Sequence, residues 1–99
     1  MKLKALRIST VKKMFRRGLK QKYRDTTIIR DYIGFRNNHN RTSLYIEFSK
    51  PVDKNVYTVK FVIKRDGTLP VYLKNLTISF TDKQEALEYI KFKTVDLLK

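Results

Sequence analysis

From Val56 to Arg65 the side chains alternate, with Tyr57, Val59, Phe61 and Ile63 on one side and Thr58, Lys60, Val62 and Lys64 on the other. A period of two belongs to a strand, because successive side chains leave a pleated chain on opposite faces. Asp66-Gly67 follows at once. Both central positions of a tight hairpin turn want positive φ, which glycine adopts freely and aspartate tolerates, so the chain is predicted to reverse there. A strand with one apolar side and one mixed side is satisfied in an antiparallel sheet covered on its apolar face. This requirement narrows the fold more than any other feature of the chain.

The neighbouring segments fit the same sheet. Thr42 to Lys50 alternates with Leu44, Ile46 and Phe48 inward and Tyr45 and Glu47 outward. Thr26 to Arg36 reads as a strand with Ile29, Asp31, Ile33 and Phe35 on one face and Ile28, Arg30, Tyr32 and Arg36 on the other. A helical reading of Ile28, Ile29, Tyr32 and Ile33 also fits this stretch. Asn37-Asn38-His39-Asn40-Arg41 is a polar loop whose asparagines are suited to positive φ. Lys50 to Asn55, with Pro51 and Asp53, is the next turn.

Leu69 to Phe80 is the return strand, but its phase shifts: Val71 and Leu73 share one parity, and Leu76, Ile78 and Phe80 the other. A bulge or bend near Lys74-Asn75 is predicted to reconcile them. Thr81-Asp82-Lys83-Gln84-Glu85 has capping-box spacing. A helix then runs to about Leu98, with Ala86, Leu87, Ile90, Thr94, Leu97 and Leu98 inward. Phe92 and Val95 fall outside that stripe and offer a contact for a partner or a second copy, a possible homo-oligomer.

The chain begins differently. Lys2, Lys4, Arg7, Lys12, Lys13, Arg16, Arg17, Lys20, Lys22 and Arg24 precede the first carboxylate, Asp25. Most of the formal net charge of +14 therefore sits ahead of residue 25. From Val11 the segment has helical period: Val11, Met14, Phe15, Gly18 and Leu19 share one face, and Lys12, Lys13, Arg16, Arg17 and Lys20 cover the other. Ser9 or Thr10 is placed to cap its start, and the regular helix is expected to stop by Lys20. Like charges at Lys12, Arg16 and Lys20 repel at i, i+4, a cost that a polyanion relieves. Met1 to Ile8 reads as a short strand or arm.

The predicted architecture is thus α+β: an N-terminal basic amphipathic helix, a four-stranded antiparallel meander and a C-terminal helix on one sheet face. It forms one domain over residues 1–99, divided into 1–24 (arm and helix), 26–80 (sheet) and 82–98 (helix).

Little here resembles an enzyme. The lone His39 sits among asparagines, which suits a loop or phosphate contact better than general-base or metal work. Gly18, Gly34 and Gly67 stand apart, so there is no glycine-rich phosphate loop. With no cysteine there is no disulfide framework or thiolate metal site. No apolar run reaches the roughly 18 residues of a membrane span. We therefore expect no catalysis, cofactor, metal or membrane, and a cytoplasmic location.

The expected partner is nucleic acid, DNA or RNA. The cationic helix supplies Lys12, Lys13, Arg16, Arg17 and Lys20, followed by Arg24. The sheet adds Arg30, Tyr32, Arg36, Lys60 and Lys64, with Arg41 in the loop. Cations neutralise phosphates and release counterions; rings such as Tyr32 and Tyr45 either stack on unpaired bases or only roof the sheet. High lysine with little glycine and proline gives the composition of an AT-rich genome, and suggests an accessory or regulatory factor of a phage or mobile element. Two other readings stand beside it: an inhibitor or adaptor docking its basic face on an acidic protein surface such as a nuclease, and a small ribonuclease toxin or ribosome-associated protein.

Thr77-Ile78-Ser79-Phe80-Thr81-Asp82-Lys83-Gln84-Glu85-Ala86 resembles the last strand and helix start of the small arm-DNA-binding domains of tyrosine-type integrases. The glycine-rich early strands of that family are missing. The helix–strands–helix order is similar to double-stranded-RNA-binding domains, with an extra strand and without their basic start to the last helix.

Overall fold

Each long alternating segment becomes a strand. The computed structural model describes residues 2–19 and 27–99. In chain order the elements are β1 (Lys4–Ala5), α1 (Ile8–Leu19), β2 (Ile28–Asn37), β3 (Thr42–Pro51), β4 (Tyr57–Arg65), β5 (Val71–Tyr72), a 3₁₀ turn (Lys74–Leu76), β6 (Ile78–Phe80) and α2 (Lys83–Leu98). The architecture is α+β, with two helices and an antiparallel sheet. Of the two readings of the segment before Asn37, the strand holds.

The sheet has six strands in the order β1-β2-β3-β4-β5, with β6 also on β4, rather than the four expected. Two changes account for the difference. The N-terminal arm adds β1, with Lys4 opposite Arg36 and Ala5 opposite Phe35. The return strand is split. Tyr72 lies opposite Val62, and Ile78 lies opposite Val59. One chain thus covers the distance from 72 to 78 while the other covers only that from 62 to 59. The 3₁₀ turn absorbs the excess, which is odd in number and so swaps the inward parity. The predicted bulge is in fact this turn, tied by a 2.8 Å hydrogen bond between the Tyr72 and Thr77 hydroxyls.

Strand register decides which side chains share a face. Ile33, Ile46 and Phe61 form one lateral row, and Phe35, Leu44 and Ile63 the next. On this side Leu44, Ile46, Phe48, Val59 and Phe61 meet Ala86, Ile90 and Leu98 of α2 in the main core. Burying each of the larger side chains contributes about 1.5–3 kcal/mol. The inward stripe of α2 is Ala86, Ile90, Thr94 and Leu98. Leu87, expected inward, is exposed instead, and Tyr89 takes its place beside the core. Its ring lies 5.9 Å from Phe61 and 5.3 Å from Phe80, and its hydroxyl donates to the Leu76 carbonyl at 2.9 Å. Asp82 caps the helix, accepting from the Gln84 N–H at 2.9 Å.

α1 lies on the opposite face. Val11 and Phe15 are fully buried there against Tyr32, Tyr45 and Val62, with Leu6, Met14 and Tyr72 around them. Gly34 permits this approach. A Cβ built on it would lie 2.5 Å from Val11 Cγ2 and 3.0 Å from Leu6 Cδ1. The helix begins a turn earlier than its period implied. The Arg7 carbonyl accepts from Thr10 and Val11, at 3.0 and 3.2 Å, so Ser9 and Thr10 lie inside the first turn and do not cap it. The loop after β2 also differs in detail: positive φ falls on Arg41 (55°), not on an asparagine. The asparagines instead cap α2, with Asn37 Nδ2 donating to the Leu98 carbonyl at 2.7 Å and Asn40 Nδ2 to those of Leu98 and Lys99 at 3.2 and 3.0 Å.

Candidate nucleic-acid interface

The apolar stripe of α1 pins the helix to the sheet and thereby fixes where its charge points. Val11 and Phe15 have no exposed surface, whereas Lys12, Lys13 and Arg16 are all exposed. No acidic residue interrupts α1. Arg17 is carried on the same helix. Lys20 and Arg24 lie outside the described residues.

The sheet candidates do share a face, as expected, but it is the face that α1 covers. Its rows follow from the register: Arg30 beside Ser49 and Thr58; Tyr32 beside Glu47 and Lys60; Gly34 beside Tyr45 and Val62; Arg36 beside Ser43 and Lys64. α1 sits over the two middle rows. Tyr32 is 8% exposed, with the Phe15 ring 5.9 Å away, and Tyr45 is 7% exposed. Of the two readings of these rings, roofing the sheet fits and base stacking by Tyr32 is corrected: their surface is spent on holding the helix. Nothing in the strand pattern reveals this, because a half-polar sheet face looks the same whether solvent or an amphipathic helix lies over it.

Arg36 is also corrected from an open phosphate ligand. It grips Asp66 in a two-pronged pair at 2.9 and 2.7 Å. Its Nη1 also donates to Ser43 Oγ at 3.1 Å, and its Nε to Asn38 Oδ1 at 2.7 Å. The hydrogen bond from Arg36, chiefly, holds the Asp66 carboxyl below the usual carboxylate range; the same bond raises the guanidinium above its ordinary value. Arg36 is thus a clasp between the turn after β4 and the loop after β2. Arg30 Nε lies 3.9 Å from Glu47 Oε2, and Glu47 is itself buried. Lys60 lies directly opposite Glu47 in the strand register. A buried carboxylate needs such company, because an isolated charge in a dry site is costly. Lys60 and Lys64 are half-buried and Arg41 is exposed. The face therefore divides into a fixed polar network below and an open cationic helix above.

A second cationic place has almost no signature in the sequence. The arm residues Lys2, Leu3 and Lys4, the loop residues Asn37, Asn38 and His39, and Lys99 line a cavity of about 760 Å³. No Asp or Glu stands among these described lining residues. The only sequence signal is His39 in its asparagine-rich loop. That Lys2 and Lys4 lie beside it depends on β1 pairing with the far end of β2.

Among the described residues no cluster of three or more His, Asp or Glu is placed to hold a metal ion. No helix among them is long and apolar enough to cross a membrane. Phe92 and Val95 are exposed on α2, 66% and 45%, beside Glu88, Lys91 and Asp96. Compared with protein-family models, curated proteins and solved structures, the chain matches none.

Proposed function

We propose that this chain is a non-enzymatic nucleic-acid-binding protein that meets phosphate backbones with the outer face of α1. The observation that carries the reading is the one-signed helix: Lys12, Lys13 and Arg16 are exposed while Val11 and Phe15, on the same two turns, are fully buried. Packing leaves this helix no freedom to turn its cations inward. Their mutual repulsion has a natural counterpart in a regular array of phosphates. The charge of the whole chain supports the reading, since +14 on 99 residues favours association with polyanions in general. The lysine-rich, glycine-poor composition suits a small accessory or regulatory factor of a phage or mobile element.

With the stacking rings buried, the reading rests on phosphate contact, which fixes position on a strand and carries no base sequence. The test is fluorescence anisotropy with single- and double-stranded oligonucleotides across a salt series. Affinity falls as salt rises, with a logarithmic slope of about −0.9 per neutralised phosphate on a duplex and about −0.7 on a single strand. No binding at low salt, or binding without a slope, overturns the proposal. Nuclease-resistant capture of an acidic protein, with no oligonucleotide binding, would point to the adaptor reading instead.

A further inference from the structure

We infer that the cavity between the N-terminal arm and the loop after β2 is a site for a phosphate monoester on a nucleoside, either free or at the end of a strand. This deepens the nucleic-acid reading by naming a terminus as ligand, but it stands on side chains remote in sequence from those of α1.

The charge inventory comes first. The lysines Lys2, Lys4 and Lys99 line the cavity together with the His39 side chain, and no Asp or Glu is among its described lining residues. A monoester carries about −1.5 to −2 at neutral pH, against −1 for an internal diester. A concave site with several cations gains most from the more highly charged group. The volume, about 760 Å³, lies within the range of pockets that enclose a small ligand. An end with its last nucleoside fits a concavity of this size; a through-going backbone has no need of one. Leu3 supplies apolar wall for that nucleoside.

The loop that forms the other wall is fixed from beneath. Arg36, clasped to Asp66, donates from Nε to Asn38 Oδ1 at 2.7 Å. This orients the amide so that the Asn38 Nδ2 donors are left for a ligand; they have no partner among the described residues. Asn37 Oδ1 accepts from the His39 N–H at 3.0 Å and holds the backbone that carries the imidazole. Arg36 is therefore a positioning residue for this site, acting through Asn38.

One feature works against an anion. The C-terminal end of α2, with its partial negative charge, reaches this region, and its last turn has no basic residue. The Asn37 and Asn40 amides answer it by donating to the Leu98 carbonyl at 2.7 and 3.2 Å, and Asn40 also donates to the Lys99 carbonyl at 3.0 Å. The Leu98 and Lys99 carbonyls are thereby each given a donor.

The test compares one single-stranded oligonucleotide bearing a 5′-phosphate, a 3′-phosphate or neither, alongside adenosine monophosphate, adenosine and inorganic phosphate. Binding is followed by anisotropy and by amide shifts of Asn38 and His39. We expect at least one phosphorylated end to bind about tenfold more tightly than the hydroxyl form, a difference of one charge-assisted contact set. Lys2→Ala with Lys4→Ala abolishes that preference and leaves the remaining affinity. Lys12→Ala with Lys13→Ala weakens all three oligonucleotides alike. If adenosine monophosphate moves the same amides and the strand ends do not discriminate, the source is a free nucleotide. If no monoester shows a dependence on Lys2 and Lys4, the site is overturned, while salt-dependent binding of all oligonucleotides alike leaves the α1 reading intact. If adenosine monophosphate binds and no oligonucleotide does, the site stands and the α1 reading falls.

Discussion

The two faces of the sheet are closed by different means. Under α2, Leu44, Ile46, Phe48, Val59 and Phe61 form a continuous apolar floor, and Ala86, Ile90 and Leu98 close it from above. Under α1 the floor is small and mixed. Tyr32, Tyr45 and Val62 meet Val11 and Phe15, with Glu47 in the row of Tyr32 and Arg36 in the row beyond. The first face is a core that joins β2, β3, β4 and β6 to α2. The second is a mounting for one helix, and its outer surface is where the net charge of this region is shown. Most of the apolar core thus lies on one side of the sheet, and the proposed binding surface on the other.

The largest effects should come from the same deletion made on each side. Phe15 and Phe61 are both fully buried. Truncating either to alanine should cost about 3–5 kcal/mol, with Phe61 at the upper end because its surroundings are held on all sides and relax least. Denaturant titration should show Phe61→Ala lowering the whole transition. Hydrogen exchange in Phe15→Ala should lose protection mainly in α1, with β3, β4 and α2 retaining theirs. Equal loss everywhere in both variants would erase the distinction between core and mounting.

A smaller, more selective break is Gly34→Ala. The new Cβ would fall 2.5 Å from Val11 Cγ2, so α1 must shift although no side chain is removed. Overpacking of this kind costs about 1–3 kcal/mol. Salt-dependent nucleic-acid binding should weaken with it, since the cations ride on the displaced helix. Unchanged binding at full stability would mean that α1 is not held as described.

This residue also shows where sequence reading stopped. The α2 side was legible because each of its strands alternates and its helix has a single stripe ending at Leu98. The α1 side was legible only in part. The helix and its outward cations were there to be read. The burial of Tyr32 and Tyr45 was not, because no strand pattern says what covers a mixed face. An isolated glycine inside a strand does signal close backbone approach, and Gly34 was that signal. The Arg36–Asp66 clasp was beyond reach: the partners meet only once Asn37 is known to face Thr42 and Thr42 to face Arg65.

The clasp makes a pH prediction. Asp66 is held below the ordinary carboxylate range, chiefly by its hydrogen bond from Arg36. A depressed folded-state value stabilises the fold above the unfolded carboxylate value, and this contribution is lost as pH falls through the depressed value. Carboxyl NMR should find Asp66 titrating below the ordinary carboxylate range. The Asn38 and His39 amides should shift with the same midpoint. The stability effect is small, since the pair is solvent-exposed. Independent titration of Asp66 and of those amides would uncouple the clasp from the cavity wall.

The smallest expected change in stability is the most informative in sign. Lys12 is exposed on α1, one turn before Arg16. Lys12→Ala removes a like-charge neighbour and introduces the best helix former. Thermal stability should therefore stay the same or rise by a few tenths of a kcal/mol. Nucleic-acid affinity should fall at the same time, and the salt slope should become shallower by about 0.9 on a duplex for each phosphate no longer neutralised. A side chain that slightly destabilises the fold and strengthens association with a polyanion has a reason to be there that folding does not supply. If the substitution instead lowers stability and leaves the slope untouched, Lys12 is serving the helix itself, and the division of labour between the two sides of the sheet does not hold.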